Sequence, residues 1–432
     1  MDVRYSTFVI AGLGIMTAAL IKRLIVLIFD TYRHARQKFL FVEARDNVQK
    51  HRAIVNFSVL GRSDLSARLI SRTIPNRRLT EVFDILNPFT TISPTVYRQS
   101  VAGARQAIQV MEKDKSEWID FFGVADTALG YLLNGIGNPL PLATTVRRLV
   151  FVAMLRPFFG GGGPKQVHPG DVLEATEMIN LLWMESKNPS RPDLQQYQER
   201  LQAALQRILP LCFPCKREEH PLNTIIPAYE TMWRVVLLTY VSAAFRATDR
   251  ETTEQFRQVV DAFPHLLDSG INSELFEVAL NFAKEGLRLY PPTKRIRRAV
   301  PRDPLNIQGS TDIVTPDIEE CHRDVHIWGP DAEVFRPSRF NDLTDAMKEA
   351  YMPFGAGKHQ CPTASKFGYR AIIILVVVLA KGLGNRDTTS IRFNNAKLDR
   401  DLSKVLPSGR MDMEDWNLEV NSFPEEMDCM NR

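Results

Sequence analysis

The stretch Met352-Pro353-Phe354-Gly355-Ala356-Gly357-Lys358-His359-Gln360-Cys361-Pro362 decides how this chain is read. Its two close glycines, Gly355 and Gly357, permit backbone turns closed to other residues. Cys361 follows, and behind it residues 371–380 (AIIILVVVLA) are uniformly apolar. That run is too short to span a bilayer and predicts a helix over 363–380 buried on all sides. A cysteine opening such a helix meets free backbone N–H groups, which lower a thiol's pKa and favour the thiolate. Taken alone, the segment is either a metal-ligating loop or a core cysteine at a helix start.

Working outward, residues 273–290 predict an amphipathic helix. Leu275, Ala279, Phe282, Gly286 and Leu289 fall on one face, and Pro291-Pro292 stops it. Glu285 and Arg288 are three apart on it and can pair. Trp328-Gly-Pro-Asp-Ala and Phe335-Arg-Pro337-Ser-Arg339-Phe340 lie between this helix and the cysteine loop. Further upstream, residues 221–246 predict one long apolar helix. Pro227-Ala228-Tyr229-Glu230-Thr231 interrupts it, and proline inside a helix removes a hydrogen bond and kinks the chain. Residues 30–150 read mostly helical, and 294–330 carry short β-like runs. Residues 160–165 form a glycine-rich loop whose spacing and missing Ser/Thr after Lys165 exclude a phosphate loop.

Three of these segments, in this order, resemble the cytochromes P-450. Phe354, Gly357 and Cys361 match that family's haem-binding loop. The resemblance makes Cys361 the axial ligand to the iron of haem b and puts His359 where a basic residue contacts a propionate. Glu285, Arg288 and Arg339 match its Glu-Arg-Arg cluster, expected to be structural because buried charges must be paired. Glu230 and Thr231 resemble the acid–alcohol pair that handles protons in the distal helix. Arg297, after the paired prolines, is the residue expected at a propionate. Thr363 and Met232 depart from the usual small residue and second hydroxyl.

The resemblance implies a mainly α fold with small β-sheets and a haem-dependent monooxygenase. It would use O2 and electrons from an NADPH–cytochrome reductase, and oxidise a small, largely apolar molecule. The style of the motifs points to fungal secondary-metabolite biosynthesis. The alternatives are a haem-thiolate isomerase or dehydratase, a non-catalytic haem-binding protein, and a membrane-associated helical scaffold. The resemblance is specific over about 221–416, including Leu406-Pro-Ser-Gly-Arg410, and fades upstream. No Trp-x-x-x-Arg helix is found in a suitable place, so a shortened N-terminal lobe is expected.

The chain has 432 residues and a formal net charge of +4, too near balance to imply a nucleic-acid partner. Five cysteines, an odd and sparse set, are no disulfide framework. Cys212-Phe-Pro-Cys215 lacks the context of a redox or zinc site, so its spacing is read as incidental. At the N-terminus, apolar residues run up to Lys22-Arg23 and resume over 24–29. A span of about 17 residues is the lower limit for crossing a bilayer. Residues 1–29 are therefore expected to form a single-pass anchor in the endoplasmic reticulum membrane. The basic residues that follow leave a catalytic domain, 30–432, in the cytosol.

Overall fold

The computed structural model describes residues 2–58, 64–134, 137–160, 167–188, 190, 192–268, 273–302, 311–364 and 366–420, with side chains from residue 20 to residue 419. In chain order the helices are α1 (Asp2–Val55), α2 (Leu65–Phe83), α3 (Pro94–Lys113), α4 (Lys115–Leu133), α5 (Leu142–Phe159), α6 (Pro169–Glu185), α7 (Leu194–Ile208), α8 (Leu222–Tyr229), α9 (Met232–Ala244), α10 (Arg250–Asp268), α11 (Glu274–Leu289), α12 (Ile318–Arg323), α13 (Val325–Trp328), α14 (Asp345–Ala350), α15 (Phe367–Leu383) and α16 (Ala396–Arg400). Five short strands accompany them: β1 (Leu140–Pro141), β2 (Arg298–Pro301), β3 (Thr311–Val314), β4 (Thr389–Arg392) and β5 (Asn417–Val420). β5 lies between β1 and β4, antiparallel to both, and β2 pairs antiparallel with β3. The mainly helical expectation with small sheets holds.

α15 is the hub. Residues 371–379 are fully buried, and the helix packs on α4, α9 and α11. A helix apolar on every face can be satisfied only by neighbours all round. α11 begins where the Ser273 hydroxyl accepts the Phe276 N–H, a side-chain N-cap. Its Gly286 lets α9 approach closely, because a Cβ there would collide with the Thr239 side chain. A second, smaller core joins Ala44, Val48 and Val55 of α1 to Trp328, Met352 and Ala356.

Three expectations change. The helix behind Cys361 starts at Phe367, not 363, because residues 362–364 form a 3-10 turn first. The long helix over 221–246 is two helices. The expected bend at Pro227 is instead a break at Glu230–Thr231, one turn later. At the N-terminus, α1 runs unbroken through Lys22 and past residue 29. The side chains of residues 1–19 lie outside the described residues. Among the described residues no helix is long and apolar enough to cross a membrane. The expected transmembrane anchor is not supported. The glycine loop at 161–166 also lies outside the described residues.

Candidate functional site

The site rests on a buried ionic frame. Glu285 and Arg288 are fully buried, with Arg288 Nε donating to Oε2 at 2.7 Å and Nη2 to Oε1 at 2.8 Å. Arg288 also donates to the carbonyls of His322 and Ala332 and lies over the Trp328 ring. Arg339 Nε stands 3.6 Å from Glu285 Oε1, and its other nitrogens hold the Trp328 and Asp331 carbonyls. Arg288 finds an acceptor on every guanidinium nitrogen, while Arg339 Nε is left without a hydrogen bond and meets Glu285 through charge alone, and this pairing offsets much of the cost of burying the charges. The frame sews α11 to residues 322–339, immediately ahead of the cysteine loop.

His322 carries the connection into that loop. Its Nε2 accepts the Met352 N–H at 2.8 Å, so Nδ1 carries the proton and donates to the Arg288 carbonyl at 3.0 Å. Burial, with Arg288 and Arg323 nearby, pushes its pKa down to about 3. Sequence reasoning passed over this residue, since an isolated histidine has no spacing signal.

From Met352 the loop turns at Gly355 and Gly357, both with left-handed φ, 75° and 69°. A Cβ at Gly357 would strike Asn56 just past the end of α1. The Cys361 N–H donates to the Phe354 carbonyl at 3.0 Å, closing the loop. Phe354 packs against Gly368 and edge-on to Tyr369. The Cys361 sulfur is exposed, 3.1 Å from the Thr363 hydroxyl. It stands ahead of α15 by more than a turn, so the helix-dipole argument drawn from sequence does not apply to it.

Beside the sulfur lies a nest of cations. Arg72 of α2, itself within electrostatic reach of Cys361, donates Nη1–H to His359 Nδ1 at 3.0 Å. The Tyr97 hydroxyl of α3 lies 2.9 Å from the same nitrogen. A guanidinium can only donate, so Nδ1 accepts and Nε2 carries the hydrogen. That Nε2 is buried and has no partner; nor has Arg72 Nε or Arg298 Nε. Burial and Arg72 push the Arg298 pKa down to about 9. Burial and the arginines 72, 68 and 298 push His359 down to about 3, leaving it a neutral donor. Among the described residues no carboxylate pairs with Arg72 or Arg298. Arg298, rather than the exposed Arg297, enters the nest.

At the helix break, the Thr231 hydroxyl donates to the Pro227 carbonyl at 2.9 Å, an acceptor that an unbroken helix would give to a backbone N–H. Glu230 is buried, and one of its oxygens is bound by Arg410. Its Oε2 has no partner. Arg410 also donates to Asn180 and lies between the Trp183 and Trp233 rings.

The comparisons fall on these same segments. The family model for Cytochrome P-450 matches residues 277–363. A probable cytochrome P-450 313a4 of Drosophila melanogaster is 31% identical over 214 residues, 45% of this chain and 41% of the fly protein. Cytochrome P-450 3A29 of Sus scrofa is 25% identical over 320 residues, 68% of this chain and 62% of the pig protein. A 6-coordinated cytochrome P-450 from Thermus thermophilus superposes with a TM-score of 0.50 at 17% identity, covering 72% of this chain and 78% of its own. That likeness shows the fold.

Over residues 277–363 the chain matches the cytochrome P-450 family.

The fly alignment spans less than half of the fly protein's length. Haem is the cofactor of this family, and the residues present suit it. An exposed sulfur stands on a loop whose neighbouring donors, His359 Nε2 and the Nε atoms of Arg72 and Arg298, are buried without acceptors. Paired carboxylates such as haem propionates supply what those donors lack. Of the sequence-predicted residues, Phe354, Gly357, His359 and Cys361 share the loop. Glu285, Arg288 and Arg339 form the frame, and Glu230 and Thr231 mark the helix break. Arg72, Tyr97 and Arg298 were not singled out from sequence.

Proposed function

We propose that this chain is a haem-thiolate monooxygenase that oxidises a small organic molecule with O2 and electrons from an NADPH-dependent reductase. The cationic nest of partnerless donors beside the exposed Cys361 sulfur carries the reading. Cys361 ligates iron. His359, Arg72, Arg298 and Tyr97 hold the propionates. Haem bound through an anionic sulfur supplies O2 activation, because the thiolate pushes electron density toward iron and favours O–O cleavage. The protein positions substrate and moves protons. Glu230 Oε2, which has no partner, is the proton-holding atom, and the hydroxyl of the next residue, Thr231, passes a proton onward. A place in secondary metabolism and attachment to the endoplasmic reticulum membrane through α1 belong to the same proposal. The exposed apolar residues Leu20, Ile21 and Leu24–Phe29 support the attachment.

The test is a reduced carbon monoxide difference spectrum of the wild type against Cys361→Ser. A thiolate-ligated band in the wild type, absent from the variant, is expected. A band that survives the substitution overturns the ligand assignment. One observation favours a second reading, an isomerase or dehydratase without O2 activation: Arg410 already engages Glu230. Turnover with peroxide substrates and none with NADPH and reductase would select it.

A further inference from the structure

Among the described residues the Cys361 sulfur has one hydrogen-bond partner, the Thr363 hydroxyl, at 3.1 Å. Between a free thiol and an alcohol, either can donate. A sulfur that ligates a metal is the thiolate, which has no proton left to give. The hydroxyl is then the donor and the sulfur the acceptor. Thr363 Oγ1 has no competing partner among the described residues.

The local backbone holds this pair in place. Pro362–Ala364 form a 3-10 turn, closed by the Ala364 N–H donating to the Cys361 carbonyl at 3.1 Å. The Thr363 carbonyl lies against the first turn of α15, where a Cβ on Gly368 would stand only 3.0 Å from it. The same missing Cβ admits the Phe354 ring, so both ends of the cysteine loop seat on one glycine. α3 packs on the same turn. Three main-chain positions cannot do the hydroxyl's work. The Cys361 N–H is spent on the Phe354 carbonyl, the Ala364 N–H is spent on the Cys361 carbonyl, and Pro362 has no N–H.

We propose that the Thr363 hydroxyl donates a hydrogen bond to the Cys361 thiolate and thereby raises the reduction potential of the haem iron. This rests on the haem-thiolate reading of the site and names a residue that tunes it. An anionic sulfur passes electron density to iron. A hydrogen bond to that sulfur withdraws part of the density, and bonds of this kind around a ligand set a metal's potential. Ferric charge is then less well stabilised, and the ferrous form is favoured. Thr363 acts through Cys361, so it is a positioning residue. Its hydroxyl, standing where the P-450 resemblance leads one to expect a small residue, eases the arrival of an electron and tempers the push toward O–O cleavage.

The experiment measures the ferric/ferrous midpoint of the full-length haem protein by spectroelectrochemistry, with the iron–sulfur stretch read by resonance Raman. Thr363→Val keeps the shape and removes the donor. We expect it to shift the equilibrium about tenfold toward ferric, a midpoint lower by about 59 mV for one electron. The iron–sulfur stretch should rise as the bond strengthens. Thr363→Ser, which keeps the hydroxyl, should return both readings to near wild type. Should the valine variant take up no haem, Thr363→Ala carries the same test, since it removes the hydroxyl and adds nothing. A midpoint and stretch unchanged without the hydroxyl overturn the proposal. An equal drop in the serine variant would assign the effect to packing and overturn it too. No thiolate-ligated carbon monoxide band in the wild type would instead overturn the haem-thiolate reading, so the two failures are told apart.

Discussion

His322 holds Met352 by accepting its N–H at 2.8 Å, and the same ring donates to the Arg288 carbonyl at 3.0 Å. The imidazole is therefore a rivet between the ionic frame and the first residue of the cysteine loop.

The rivet works only when neutral. The folded pKa of about 3 lies below the ordinary value of 6.5, so the unfolded chain binds the proton first as pH falls. Its contribution is complete above about pH 6.5 and drains away between there and about pH 3. Each pH unit in that window should remove about 1.4 kcal/mol. Urea melts from pH 7 to pH 4 should show the midpoint falling, and His322→Phe should flatten that slope while lowering stability at pH 7. A slope unchanged in the variant would remove His322 from this role.

Haem retention should separate two neighbouring arginines. Arg298→Gln removes a buried cation from the nest and should lower haem occupancy severalfold, read as the Soret-to-protein absorbance ratio. Arg297→Gln should leave that ratio near wild type. The reverse result would return Arg297 to the propionate role expected from sequence.

Gly286→Ala puts a methyl into the Thr239 side chain across the α9–α11 contact. Overpacking in a tight interface costs about 1–3 kcal/mol. Thermal melts should show that loss, and Thr239→Ser should leave it largely unrelieved, because the hydroxyl oxygen is the atom met first.

Arg288→Leu strands Glu285 as a fully buried, half-satisfied charge. Breaking a buried pair by removing one partner costs about 3–5 kcal/mol. The soluble yield of this variant should collapse, whereas the exposed pair Arg257–Glu254 should be removable at little cost.

Thr231→Ala should keep the haem and uncouple O2 consumption from product. The hydroxyl also satisfies the Pro227 carbonyl, so Thr231→Ser should restore coupling. Full coupling in the alanine variant would exclude Thr231 from proton delivery.

The frame was readable because its first pair is local: Glu285 and Arg288 are one helical turn apart, and the helix periodicity marks their face. The cysteine loop was readable because glycines with positive φ leave a spacing in the sequence. Arg72 and Tyr97 meet His359 across more than 250 residues, and no local pattern announces such a meeting. The break at Glu230–Thr231 was displaced from its expected place. The proline predicts a disturbance nearby but not its register, and the Thr231 hydroxyl bond to the Pro227 carbonyl that accompanies it leaves no mark in the sequence. Arg298 was missed in favour of Arg297 because two adjacent basic residues at the start of a strand point to opposite sides and the sequence does not say which side is inner.

The close fit of Gly357 against Asn56 has a mechanical corollary. The last turns of α1 share a core with Met352 and Ala356, and Arg52 grips the Glu349 carbonyl at 2.9 Å. A rigid rod thus ends directly behind the sulfur's loop. Whatever tugs on the rod's far end, whether a lipid surface, a bound protein or an added tag, pulls on the platform that carries Cys361 as well.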